Sequence, residues 1–326
     1  MKQMEEIRKD NHNEEQLSQR FGEIYLELLD ENKREAGYSE MEKLLPEYPE
    51  AGIVLGQYYQ QSDRKRAKAY FKAAADAGIA EGMWGYAGTI SHSNIPNLKF
   101  DSDREWVMNC QAAAEGGCAD AANEMGNICS RKGFFAESMY WYGMAYVLEQ
   151  TSAMAGLRGI TGVWLGKGSP KEYVRFLDNY TEDRHNTALI LLKMFSSGIT
   201  SADLNQLMTQ AMGGESLAGF FAGLIYGQNK MDEMEYQAYN VTAFEKHPHA
   251  LRCYADMLMA GKGCERDPDS AIRFYKMAAD KGNAPSMFVM GEYTRNAGDL
   301  YQAAAWYGKA YSRGYEFAAD RLSQMI

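Results

Sequence analysis

Three short stretches of this chain share one skeleton: AADAGIA at residues 74–80, AAEGGCA at 113–119 and AADKGNA at 278–284. Each reads Ala-Ala, two small or polar residues, Gly, one residue, Ala. Paired alanines let helices approach closely, and glycine accepts the left-handed backbone that terminates a helix. The skeleton therefore reads as a joint where one helical hairpin ends and the next begins.

Seven positions after the closing Ala stands another small residue: Ala87, Gly126 and Gly291. Extending this frame gives anchors at 56, 87, 126, 159, 223, 255 and 291, spaced by 31, 39, 33, 64, 32 and 36. The interval of 64 is twice 32 and predicts a degenerate unit anchored near Leu191, with helices over 188–194 and 203–212. Self-similarity at such a period is the signature of an array in which each unit buries its apolar face on its neighbours. The expected organisation is an acidic N-terminal helical cap over 1–48, whose Gly22 is in position to anchor a worn ninth unit. A repeat array follows over 49–326, with units starting near 49, 80, 119, 152, 184, 216, 248 and 284.

Within a unit, apolar or small residues at anchor −7, −4, −1, 0 and +3 share one helical face. A second helix carries an alanine–aromatic stripe, as in Ala67/Tyr70/Phe71/Ala74 and Ala303/Trp306/Tyr307/Ala310. The expected fold class is all-α, built from about eight helical hairpins. The fullest copy is GKGCERDPDSAIRFYKMAADKGNA, residues 261–284. Gly261, Gly263, Asp267, Ala271, Tyr275, Ala278, Ala279, Gly282 and Ala284 occupy the positions of the Sel-one-like repeat, a relative of the tetratricopeptide repeat. Cys264 stands where Val is usual and Phe274 where Trp is. The likeness is strong over 51–150 and 250–318 and weak over 165–245, where the AAxxG joint is lost. The resemblance implies a right-handed α/α superhelix, a solenoid that serves as a scaffold for other proteins.

The net charge of −10 is uneven: residues 1–50 hold 14 Asp/Glu against 7 Lys/Arg. No basic stripe is present that could replace counterions along a phosphate backbone, which argues against nucleic acid. The first residues, MKQMEEIRKDNHNEEQ, lack an apolar signal region, and LAGFFAGLIYG at 217–227 is too short to span a bilayer. A soluble, cytoplasmic and bacterial protein without membrane insertion is expected. Five cysteines, Cys110, Cys118, Cys129, Cys253 and Cys264, are an odd number without a repeating interval, so reduced thiols are expected.

Signals for chemistry are poor, and neither a cofactor nor a metal is expected. Leu165-Gly166-Lys167-Gly168-Ser169 departs from a phosphate loop because Thr161 and Gly168 break the pattern. His247-Pro248-His249 has no further ligand at zinc spacing and reads as a solvated loop at a helix start. Cys110 and Cys118 lie eight apart, as in the cysteine-rich secreted branch of the repeat family. That branch repeats the pair in nearly every unit, so its hydrolase activity is a distant alternative here. No nucleophile elbow, HExxH or carboxylate constellation is present.

What remains is surface. In related hairpin arrays the first helix of each unit lines the concave groove, and positions −3, +1 and +4 or +5 point into it. These are Trp84, Asn123, Asn127, Arg131, Trp164, Arg252, Asp256, Glu292 and Arg295, with Phe220 and Phe288 more readily read as packing between units. Trp and Arg are the residue types that carry binding energy at interfaces. The expectation is a non-enzymatic adaptor binding a protein or peptide; an immunity protein neutralising a bacterial toxin is the alternative. The 39-residue interval places an insertion at 91–103, a further candidate contact.

Overall fold

The computed structural model describes residues 2–90, 103–148, 152–166, 177, 180–244 and 247–325. The insertion is outside these residues except for Asp103, as are Lys167–Ser169 of the glycine-rich stretch. Among the described residues there are eighteen helices and no strand. The all-α fold of helical hairpins expected from the repeat is what the chain adopts. It divides into two compact units, Met1–Thr89 with Gly282–Ile326, and Ile90–Lys281.

The first unit holds α1 (Lys2–Leu29), α2 (Arg34–Leu44), α3 (Ala51–Tyr59), α4 (Arg64–Asp76) and α5 (Ala80–Thr89), with α16 (Ala284–Asn296), α17 (Leu300–Ser312) and α18 (Phe317–Ser323). The second holds α6 (Arg104–Glu115), α7 (Ala119–Lys132), α8 (Phe135–Val147), α9 (Ala153–Gly166) and α10 (Glu182–Ser196). It continues with α11 (Ser201–Met212), α12 (Ser216–Gln228), α13 (Asp232–Phe244), α14 (Pro248–Ala260) and α15 (Pro268–Asp280). Helices α10 and α11 fill the degenerate hairpin that the doubled interval placed near Leu191, and Leu191 is buried.

The joints are helix stops. Gly78, Gly117 and Gly282 have φ of +83°, +99° and +93°. The residue after the glycine donates back to the first alanine's carbonyl, Ile79 to Ala74 at 3.1 Å and Cys118 to Ala113 at 2.9 Å. This six-to-one bond closes the helix end. Those alanines are buried, where the next unit must come close.

One correction follows. The joint is not lost over 165–245 but disguised as QAMGGES at 210–216. Gly214 there has φ of +98°, and the Glu215 amide bonds to the Gln210 carbonyl at 2.9 Å. The backbone requirement survives while the flanking alanines have become Gln210 and Ser216.

The anchors Gly56, Gly126, Gly223 and Gly291 are small because an aromatic ring lies on them; the anchor placed at 159 is corrected, because a Cβ on Gly159 would meet nothing within 4 Å. A Cβ added at Gly126 would sit 2.6 Å from the Tyr142 ring, and one at Gly291 would sit 2.5 Å from Tyr307. Tyr142 also meets Gly156 on the following first helix, and Phe71 lies between Gly56 and Gly85 in the same way. A second-helix ring thus fills the space between two successive first helices, which makes the repeat a packing unit.

The first unit is closed by both ends of the chain. Phe21, Ile24, Tyr25 and Leu28 of α1 are buried, and α1 packs along α17. Gly22 meets the α17 backbone at Tyr301 and Ala305, so any side chain there would overlap it. Gly308 of α17 in turn receives the Tyr25 ring. Gln19 donates to Asp299 at 2.9 Å and Gln302 to Ser18 at 3.2 Å. Arg313, with a side chain 5% exposed, lies 2.5 Å from Glu50 and 3.1 Å from Glu81.

Candidate partner-binding site

The first helices bring polar residues to one recurring position, immediately after the anchor. Asn127 follows Gly126, Asp256 follows Ala255 and Glu292 follows Gly291. In each hairpin the tyrosine that packs at the anchor reaches past it and donates its hydroxyl to that residue. Tyr142 bonds Asn127 at 2.8 Å, Tyr275 bonds Asp256 at 2.5 Å and Tyr307 bonds Glu292 at 2.6 Å. One aromatic therefore fills the space between helices and fixes an acceptor beside it. Burial raises all three phenols, Tyr142 to about 12, and keeps them protonated donors.

Each acceptor is held from a second side. Asn127 donates to Glu124 at 3.0 Å, and Arg252 donates to Asp256 at 3.1 Å. Glu292 accepts from Arg295 at 2.9 Å and from Arg321 of α18 at 2.7 Å. Burial opposes the Glu292 charge, but the Tyr307 hydroxyl and Arg321 outweigh it and hold the carboxyl below its ordinary range.

The candidate residues separate by exposure. Arg131 and Asp256 are exposed, and Trp84, Asn123, Asn127, Arg252, Glu292 and Arg295 are half-buried. Trp164 is 1% exposed and is corrected to a core residue. Ala153, Leu157, Ile160 and Trp164 recur at steps of four, three and four, the stripe of one buried helix face, and all four are buried. That periodicity is visible in the sequence and outranks the distance from the anchor. Phe220 packs on Tyr239 and His247, and Phe288 on Tyr307 and Tyr315. Arg252 and Asp256 belong to the second unit, and Glu292 and Arg295 to the first.

The histidines at the start of α14 are also corrected. His247 and His249 are 9% and 6% exposed, so they are packed rather than solvated. Burial, with Lys281 nearby, lowers His247 to about 4; burial, with His247 and Arg252, takes His249 well below its usual value. All five cysteines are free thiols, with Cys110, Cys118 and Cys129 buried. Burial pushes Cys129 well above the usual thiol range.

A second charged arrangement was not read from the sequence. In the second unit Arg184 lies 3.2 Å from Glu115 and 3.8 Å from Glu215, with its guanidinium over the Tyr140 ring at 5.1 Å. Glu115 ends α6 and Glu215 caps α12, so this arginine ties together two joints far apart in sequence. Arg313 does the same in the first unit. No local motif announces such a contact.

No family model matches the chain, and no curated protein does. Among solved structures it is similar to a Sel1 repeat protein from Oxalobacter formigenes, with 17% identity and a TM-score of 0.41 over 93% of this chain and 83% of that one. It is also similar to a protective antigen of uropathogenic Escherichia coli strains that displays an SLR fold, with 17% identity and a TM-score of 0.40 over 94% and 79% of the two chains. Both carry the repeat that residues 261–284 resemble.

Proposed function

We propose that this chain is a non-enzymatic scaffold that takes a protein or peptide along the outward edge of its first helices. The tyrosine-held residue after the anchor, present as Asn127, Asp256 and Glu292, carries this reading. Stacking requires the ring, which needs only the small anchor beneath it. The fixed acceptor adds an ordered polar group at the edge, and groups ordered beforehand lose less entropy on binding. Asn123 and Arg131 lie one turn from Asn127 on α7, Arg252 pairs with Asp256 and Arg295 with Glu292; Trp84 on α5 is the remaining candidate. The role is that of an adaptor.

The test uses a partner captured from the native host on the intact chain and then purified. Arg131→Ala and Arg252→Ala should each weaken its binding by about tenfold, a change of ~1.4 kcal/mol. The melting temperature should change little, because Arg131 is exposed and the Arg252–Asp256 pair is partly solvated. Full binding by both variants would place the contact elsewhere; lowered melting with full binding would make these side chains part of the packing.

A further inference from the structure

Helix α4 presents a short basic stripe, which corrects the reading that the chain has none and which stacking does not use. Ala67, Phe71 and Ala74 are its buried face, which fixes its orientation in the unit. Lys65 and Lys72 lie on the opposite side, with Lys68 between the two faces and Arg64 at the edge of the buried one, and all four are exposed. Lys72 is paired with Asp76 at 2.7 Å. Among the described residues no carboxylate lies within ion-pair distance of Arg64, Lys65 or Lys68. Arg64 donates only to the Gly88 carbonyl, at 3.3 Å, and Lys68 lies over the Tyr86 ring at 5.5 Å.

Four lysines elsewhere in this chain of net charge −10 have carboxylate partners: Lys43 has Glu40, Lys193 has Asp203, Lys262 has Glu235 and Lys276 has Asp280. The stripe is also unfavourable where it stands. Its first turn sets cations at the positive end of the helix dipole, whereas α6, α11 and α15 place Glu105, Asp203 and Asp269 there. The i,i+4 pairs Arg64–Lys68 and Lys68–Lys72 add repulsion. The Asp63 cap, which accepts from the Lys65 and Arg66 amides, offsets part of this, and the repulsion left among the exposed cations points to function.

We propose that the α4 stripe docks an acidic polypeptide segment whose carboxylates recur at helical spacing. Charge complementarity selects the chemistry and the dimensions select the class. From Arg64 to Lys72 the stripe spans roughly 12 Å at the helical rise, closed by Asp63 before it and Asp76 after it. A short acidic helix matches that length. A nucleic acid gains affinity by spreading phosphate contacts over a longer basic track. The proposal rests on the scaffold reading and names the chemistry of one partner.

The test measures fluorescence anisotropy on the full chain in salt of about 150 mM. The probes are a labelled peptide of four Glu-Ala-Ala-Ala repeats, its glutamine counterpart and a single-stranded RNA of matching length. The glutamate peptide should bind at least about tenfold tighter than the glutamine peptide, and Lys65→Glu/Lys68→Glu should remove that difference. Its melting temperature should be unchanged or raised, because the substitutions relieve repulsion and suit the helix dipole. Should that variant fold poorly, Lys65→Gln/Lys68→Gln, which removes charge without reversing it, must still lose the preference. Equal affinity in wild type and variant, no preference for glutamate, or tighter binding of the RNA would overturn the proposal. A purified native partner that binds the charge-reversed variant at full strength would overturn it while leaving the scaffold reading intact.

Discussion

Tyr142 carries two roles at the scale of the residue: its ring separates Gly126 from Gly156 and its hydroxyl fixes Asn127. The glycines are demanded by the ring, because any Cβ at either position would overlap it. Replacing Gly126 with Leu should therefore destabilise the second unit by ~1–3 kcal/mol, the usual range for added bulk in a packed site. Urea unfolding followed by tryptophan fluorescence would measure it. Gly159 supplies the control, since a Cβ there meets nothing within 4 Å. Gly159→Leu should cost far less, and equal losses would show that helix propensity rather than the ring decides.

At the scale of the element, the helix starts and stops show what the sequence makes legible. A joint needs a residue that accepts positive φ, and few choices satisfy that, so glycine betrays it even where the alanines change, as at Gly214. Asn283 is equally local: its side chain accepts from the Ser286 amide at 2.9 Å and from its hydroxyl at 2.6 Å, capping α16. Asn283→Ala should cost ~0.5–2 kcal/mol, read as a lower thermal midpoint of the intact chain. Exposure is harder to read, because it depends on which neighbour covers a face. Trp164 and the histidines of α14 look like surface in the frame of the anchors and are packed in the structure. The histidines give the α14 start a pH dependence of definite sign. His247 titrates near 4 when folded against an ordinary 6.5, so it is neutral in the native protein. The unfolded chain takes up the proton first, and stability present above pH 6.5 falls as the pH drops toward 4. The fall for this group alone is on the order of 3 kcal/mol. Urea midpoints taken over that range should decline in the wild type and flatten in His247→Asn/His249→Asn; a parallel decline in both would assign the loss to other groups.

At the scale of the whole molecule, the contact between the chain's two ends is the feature no local pattern could announce. Repeat arrays unfold readily from their ends because a terminal unit has one neighbour only. Here α1 and α17 are each other's neighbours, and Arg313 binds Glu50 at the start of α3 and Glu81 in the first turn of α5. The triad is buried. Burial opposes the Glu50 charge and Arg313 outweighs it, so that carboxyl lies below its ordinary range. Burial and the charge of Glu50 together raise Glu81 despite Arg313. Removing the arginine leaves two buried carboxylates with only the charge of Lys309 to offset Glu50, a loss of ~3–5 kcal/mol in comparable buried pairs. Arg313→Gln should therefore weaken both ends at once. Hydrogen exchange should show α3, α5 and α17 losing protection together while α7 and α8 of the second unit keep theirs. If α16–α18 lost protection and α1–α5 did not, the chain ends would be independent, and the first unit would be an ordinary pair of array termini lying in contact. If all helices lost protection equally, the two units would unfold as one, and the closing contact would govern the stability of the entire chain.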